Sequence, residues 1–226
     1  MSGSEAKTGH RSRLRQRFLN GRFEGMHDYE VLELLLTFTI VRRDVKPLAK
    51  ELLAHFGSLS RVFDAGAAEL CEVKGVSDNT AVMIKLLREL CTLYLERQLE
   101  DADVLSSADE VLNFVRMKLG HERDEFFMTI YLNAKNRVIC HEIAASGTVD
   151  QAVVFPRNIL RRALEVGATA LILVHNHPSG VAEPSRNDIV LTEKIREVVE
   201  VCDIKVLDHI IVGHGGGYSF HKNKLL

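Results

Sequence analysis

The chain has 226 residues, of which 46% are hydrophobic and 27% charged, and its formal net charge is −2. A chain this apolar and weakly charged can bury enough surface to fold, so the composition excludes a disordered protein. Fifteen glycines and four prolines exclude a collagen-like or low-complexity chain. The longest apolar run, residues 168–174, is too short for a membrane span of roughly 18 residues, and the N-terminus lacks the apolar segment of a secretory signal. We therefore expect a globular protein with no membrane contact.

The four cysteines are far apart and form no C-x-x-C pair; they are Cys71, Cys91, Cys140 and Cys202. This spacing argues against a disulfide scaffold and against a zinc site made of thiolates. A reducing compartment fits the pattern best, and we expect the protein to be cytoplasmic.

The N-terminal 22 residues carry most of the basic excess. One acidic residue, Glu5, faces six basic ones: Lys7, Arg11, Arg13, Arg15, Arg17 and Arg22. Such an arm could contact the phosphates of a nucleic acid, although a solvated and flexible terminus fits the pattern equally well.

The following residues show the period of helices. Leucines and other apolar residues recur at helical intervals in residues 29–38, 45–56 and 81–99. We therefore predict an all-helical domain over residues 23–100. The polar stretch at residues 100–103 predicts a boundary between domains.

Beyond this stretch the pattern changes to alternating helices and strands. Ser107 predicts the start of a helix that ends at Gly120. The later predicted elements are strands at 125–132 and 137–144, a helix from Pro156 closed by Gly167, a buried strand at 168–174, a helix at 185–201, and strands at 204–212 and 218–220. This order predicts a mixed α/β domain over residues 104–226.

Two histidines follow the buried strand at 168–174. In an extended segment, His175 and His177 project to the same side, and Asp188 falls in the first turn of the next helix. Two imidazoles and one carboxylate make three metal ligands and leave a fourth tetrahedral position open, as in catalytic zinc sites. We therefore predict one zinc ion per chain.

Other interpretations of these residues exist. Ser185 and Asp188 also match a helix capping box, and both histidines could be ordinary polar residues at a strand end. The adjacent tripeptide His-Asn-His at residues 175–177 does not indicate an HNH nuclease, because the three motif residues of those enzymes are dispersed along the chain. A zinc deaminase would need a paired thiol, and Cys202 has no nearby partner in the sequence.

A glutamate on an early strand, His-x-His-Pro, and then Ser-x-x-Asp eleven residues after the second histidine resemble the JAMM (MPN+) metalloproteases. Within that group, the segments HNHPSG, PSRND, LDHIIVG and FPRNILRRALEVGATALIL are similar to the RadC family over roughly residues 104–226. The resemblance implies an MPN-type mixed β-sheet flanked by helices. It also implies that His175, His177 and Asp188 bind zinc and that Ser185 helps to hold the tetrahedral intermediate.

A general base must complete such a site, because a carboxylate has to take the proton from the zinc-bound water. Glu142 matches the upstream glutamate of the family and is our predicted base; Glu125 and Glu165 are alternatives that fit solvated charges better. The pair of Asp208 and His209 could support the ligands or form an ordinary buried pair.

Residues 70–81 resemble a helix-hairpin-helix motif, whose Gly-x-Gly turn exposes backbone N–H groups to a DNA phosphate. Gly75 is present, but Ser77 stands where the second glycine would be. The segment could therefore contact DNA nonspecifically, or it could be a plain packing hairpin.

The predicted function is zinc-dependent hydrolysis of a peptide or isopeptide bond in an unidentified peptide or protein substrate. The family's association with DNA repair implies an alternative, a DNA-binding accessory protein with a structural or vestigial metal site. A metal-dependent nuclease ranks last, because nucleases usually gather two metals with several carboxylates and this site has a single carboxylate ligand.

Overall fold

The computed structural model describes residues 3–101, 104, 108–147, 154–214 and 216–226. The chain forms two compact units, Met1–Leu90 and Cys91–Leu226. Within the described ranges there are nine helices and a single five-stranded sheet. None of the helices in these ranges has the length and apolar character needed to cross a membrane.

The first unit is entirely helical in its described residues, as predicted. Its helices are α1 (Gly3–Gly21), α2 (Asp28–Thr39), α3 (Lys46–Phe56), α4 (Leu59–Asp64), α5 (Ala67–Glu72) and α6 (Asp78–Asp101), the last of which continues into the second unit. Helix α3 begins with a proline in its first turn and ends at Gly57, which has a positive φ of 86°. The short helices α4 and α5 were not predicted separately, because six residues contain too few turns to show a period.

The basic N-terminal segment is part of this helical unit. Leu14 in α1 is buried, and the Arg11 guanidinium donates hydrogen bonds to the carbonyl oxygens of Ile40 and Val41. Arg17 forms an ion pair with Glu30. In the described residues this segment is a helix, and Arg11 and Arg17 have partners within the unit.

The second unit contains the sheet. Its further elements are α7 (Ala108–Leu119), β1 (Glu125–Leu132), β2 (Val138–Gly147), α8 (Pro156–Val166), β3 (Ala170–Asn176), α9 (Arg186–Glu200), β4 (Lys205–Gly213) and β5 (Gly216–Ser219). The strand order is β2-β1-β3-β4-β5, with β3 and β4 parallel and the other neighbours antiparallel. The predicted mixed α/β class is confirmed. The predicted cap Ser107 and residues 102–103 of the predicted boundary lie outside the described residues.

The two faces of β3 pack against different helices. Ile172 and Val174 belong to a core with α7, whereas Leu171 and Leu173 belong to a core with α8 and α9. Because side chains alternate along a strand, His175 follows the second set and faces the α8 and α9 layer. The end of β3 therefore presents His175 toward α9, the helix that carries Asp188.

The side chain of Asn176 connects the end of β3 to the start of β1 by hydrogen bonds. Its side chain is buried, its Oδ1 accepts a hydrogen bond of 2.8 Å from the Phe126 N–H, and its Nδ2 donates one of 2.9 Å to the Asp124 carbonyl oxygen. The middle residue of the His-Asn-His motif thus has a structural role, between two histidines that point elsewhere.

Replacing Asn176 with alanine should lower the free energy of unfolding by about 3 kcal/mol, because the bonds are lost and the Phe126 N–H loses its acceptor. Asn223→Ala removes one exposed hydrogen bond and should change stability by less than about 0.5 kcal/mol. Urea unfolding in the presence of a chelator measures both variants without any contribution from bound metal. Equal stabilities for the two variants would contradict the assigned role.

Candidate metal centre

His175, His177 and Asp188 form a compact cluster of potential metal ligands. The Nε2 atoms of the two histidines are 2.9 Å apart. The Asp188 oxygens lie 3.3 Å from Nε2 of His175 and 3.5 Å from Nε2 of His177. The structure thus brings the three predicted ligands together from the end of β3, the adjoining loop and the start of α9.

These separations match those between ligands around one small cation. A tetrahedral ion with bonds of about 2.0 to 2.1 Å holds its ligand atoms about 3.3 Å apart. Nδ1 of His177 lies 2.7 Å from the Val181 carbonyl oxygen, which can only accept, so Nδ1 carries the proton. In the neutral ring Nε2 is then unprotonated and faces the cluster. The donor set therefore fits a metal ion.

Asp188 combines two tasks at the start of α9. Its carboxylate accepts a hydrogen bond of 2.7 Å from the Ser185 N–H, and its own N–H donates to Ser185 Oγ at 3.2 Å. The predicted capping box is therefore present, and it orients the carboxylate. Burial raises the pKa of Asp188, but hydrogen bonds from His175 and His177 outweigh it and leave the pKa below its ordinary value.

The pKa of His177 is raised by its hydrogen bond with Asp188, although partial burial opposes this. Burial lowers the pKa of His209 well below its ordinary value, and the neighbouring charge of His175 lowers it further. His209 is therefore a neutral residue behind the cluster, whereas the raised pKa of His177 favours its protonated form.

Two residues behind His175 extend the site into the core. Nδ1 of His175 lies 2.8 Å from Nε2 of His209, and Nδ1 of His209 lies 2.6 Å from the Thr192 hydroxyl. The ring of Phe127 stacks on His175, and that of Phe220 stacks on His209. Thr192 did not emerge from the sequence, although its position one helical turn after Asp188 places it on the same face of α9.

Glu142, the predicted base, lies in a different environment. Glu142 on β2 pairs with Thr129 on β1, and Thr129 pairs in turn with Leu173 on β3. Glu142 is therefore aligned with Leu173, two residues before His175. Its carboxylate accepts hydrogen bonds from the Arg162 guanidinium, one of them at 2.8 Å. Glu165 also pairs with Arg162. Glu165 also pairs with Arg161, so the described ion pairs of both carboxylates are with arginines on α8.

Glu125 is the glutamate whose charge acts on the cluster. It is the first residue of β1, two positions before Phe127, which pairs with His175 in the sheet. The Glu125 carboxylate contributes to the raised pKa of His177. By strand alternation Glu125 projects on the same face as Phe127, and continuation of the register places it opposite His177.

Asp208 supports the chain end and makes no described contact with the ligands. Its carboxylate accepts hydrogen bonds from the Ser219 hydroxyl at 2.6 Å and from the His221 N–H at 2.9 Å. Of the predicted pair, therefore, only His209 contacts the cluster.

In the hairpin between α5 and α6, Gly75 has a positive φ of 105°. The Arg43 guanidinium donates a hydrogen bond to the Gly75 carbonyl oxygen. Contact of this hairpin with DNA stays a prediction.

The fold and the cluster define an α/β domain that could hold a metal ion. A family model described as a RadC-like JAB domain matches residues 105–225. A UPF0758 protein of Ruegeria pomeroyi is 43% identical over 211 residues, covering 93% of this chain and 94% of its own. A UPF0758 protein of Rhodobacter capsulatus is 42% identical over 213 residues, covering 94% of this chain and all of its own. The chain belongs to the RadC family.

Removing one ligand should abolish metal binding. His175→Ala and Asp188→Ala each leave two ligands, so dialysed protein should lose its zinc, whereas Cys202→Ser removes an exposed thiol and should keep it. Elemental analysis after dialysis measures the zinc content per chain. Full zinc content in His175→Ala protein would show that the ion binds elsewhere.

Metal affinity should fall on acidification, because a proton and the metal compete for Nε2 of His177. The raised pKa of His177 means that this loss begins at a higher pH than for an ordinary histidine, while the lowered pKa of Asp188 keeps the carboxylate ionised. Competition with a chromophoric chelator from about pH 8 to pH 5.5 measures the change. An affinity that stays constant over this range would contradict the ligand assignment.

Proposed function

We propose that this protein is a zinc-dependent hydrolase of peptide or isopeptide bonds. The observation that carries the proposal is the set of three donor atoms, 2.9 to 3.5 Å apart, made of two imidazoles and one carboxylate. Three protein ligands with an open fourth position are typical of catalytic zinc sites, whereas structural sites have four.

Zinc bound by this set would acidify a water molecule and polarise the carbonyl group of the substrate. Ser185 is exposed, and its oxygen accepts from the Asp188 N–H, so its hydroxyl proton is available for the carbonyl oxygen of a substrate. A hydrogen bond donated there stabilises the negative charge that develops during attack.

Glu125 is the better candidate for the base that takes the proton from water and delivers it to the leaving nitrogen. Its carboxylate is close enough to influence His177, and it lies at the edge of the sheet where the cluster is. The Glu142 carboxylate is instead held by hydrogen bonds from the Arg162 guanidinium.

The two alternative functions, a metal-dependent nuclease and a DNA-binding accessory protein, have less support. A nuclease would use more carboxylate ligands, and the cluster in the described residues contains one. A DNA-binding accessory role rests on the hairpin at Gly75 and the basic helix α1, where Arg11 and Arg17 already have partners within the first unit.

Replacing Glu125 with glutamine should lower turnover by about 10²- to 10⁴-fold, because the amide cannot accept the proton. Zinc content should remain at one ion per chain, since Glu125 is not a member of the ligand cluster. Glu142→Gln is the matched control, since it only weakens a partly exposed ion pair with Arg162. A quenched-fluorescence peptide library digested by the zinc-loaded protein provides the substrate and the assay.

The two variants give opposite results under the two assignments. Normal turnover in Glu125→Gln together with a large loss in Glu142→Gln would return the role of base to Glu142. Zinc-loaded parent protein that cleaves no peptide or isopeptide substrate would contradict the proposed activity itself.

A further inference from the structure

A line of hydrogen-bonding groups leads from the metal-facing ring of His175 into helix α9. His175 Nδ1 meets His209 Nε2 at 2.8 Å, His209 Nδ1 meets the Thr192 hydroxyl at 2.6 Å, and that hydroxyl lies 2.6 Å from the Asp188 carbonyl oxygen. All four residues are buried. Each contact holds at most one proton, so the position of one proton restricts the positions of the others.

In the first arrangement the Thr192 hydroxyl donates to the Asp188 carbonyl oxygen. Its oxygen then accepts the Nδ1 proton of His209, and the unprotonated Nε2 of His209 accepts the Nδ1 proton of His175. Nε2 of His175 is left with a free electron pair that faces the cluster. This arrangement is ready to bind a metal ion.

In the second arrangement the Thr192 hydroxyl donates to Nδ1 of His209. His209 then donates from Nε2 to Nδ1 of His175, and His175 carries its proton on Nε2. That proton lies between the two imidazoles, whose Nε2 atoms are 2.9 Å apart, and it satisfies the unprotonated Nε2 of His177. This arrangement suits the metal-free protein and blocks metal binding by His175.

We propose that Thr192 is the positioning residue of the metal centre: its hydroxyl accepts from His209 in the metal-ready arrangement and donates to His209 in the other, and so couples the tautomers of His209 and His175. The proposal rests on the proposed function, because it assumes that His175 is a ligand. On the change from the second arrangement to the first, the Nε2 proton of His175 leaves to water at the cluster and the Nε2 proton of His209 passes to Nδ1 of His175. The Thr192 hydroxyl proton passes to Nδ1 of His209, and Thr192 takes one proton from water. One proton is released and one is taken up, so the total number of protons is unchanged.

A hydroxyl is the group that serves both arrangements, since it can donate to either neighbour and accept from His209. Thr192→Val keeps the branched shape but removes donor and acceptor together. The Nδ1 proton of His209 then has no acceptor in the metal-ready arrangement, so the other tautomer is favoured. We expect zinc affinity to fall about 10- to 100-fold, the range typical of groups that support metal-bound histidines.

Zinc affinity of the full chain, measured by chelator competition, compares the parent with Thr192→Val and Thr192→Ser. Serine retains the hydroxyl and should restore affinity to within about threefold of the parent. Circular dichroism and thermal melting of the metal-free proteins check that both variants are folded. Parent affinity in folded Thr192→Val protein would overturn the proposal while leaving the metal site intact.

The tautomers themselves are read by long-range ¹H–¹⁵N NMR of the histidine rings at about pH 8.5, well above the ordinary histidine pKa of about 6.5. We expect His175 and His209 to carry their protons on Nε2 without metal and on Nδ1 with zinc. Identical tautomers in the two states, or an Nε2 proton on His209 in the zinc-loaded protein, would overturn the proposal. A parent protein that binds no zinc at all would instead refute the proposed function.

Discussion

Two imidazole nitrogen atoms and a carboxylate face each other within 3.5 Å at the end of β3, and the rest of the second unit holds them there. Groups that all offer electron pairs repel one another unless a proton or a metal ion lies between them. The positions of His175 and Asp188 are fixed because they lie in a buried strand and in the first turn of α9. The sheet and the helices therefore hold these groups at separations at which a proton or a metal ion can lie between them.

Several residues at the site combine a structural and a chemical task. Asp188 caps α9 together with Ser185, and its carboxylate also belongs to the cluster of potential ligands. The loop after His177 supplies the Val181 carbonyl oxygen that determines the tautomer of that ring. This loop packs so closely on Gly213 that a side chain there would collide with the Gly180 backbone. Because the same contacts stabilise the fold and orient the ligands, metal binding should also stabilise the second unit.

The strands and the three ligands could be predicted because they depend on local patterns. Alternation predicted β1 with its observed bounds, and the spacing of His175, His177 and Asp188 predicted their convergence. The place of Glu142 could not be predicted in this way, because it depends on the register of β2 against β1 and on an arginine from α8. The partners of His209 come from another strand and another helix, so no local pattern contains them.

The central claim is that the cluster is a three-ligand zinc site with an open position. X-ray absorption spectroscopy of the zinc-loaded protein tests this most directly, because it reports the number, type and distance of the ligands. The account predicts four nitrogen or oxygen neighbours at about 2.0 to 2.1 Å, with the scattering signature of two imidazoles. A sulfur neighbour at about 2.3 Å, or a shell without imidazole, would contradict it.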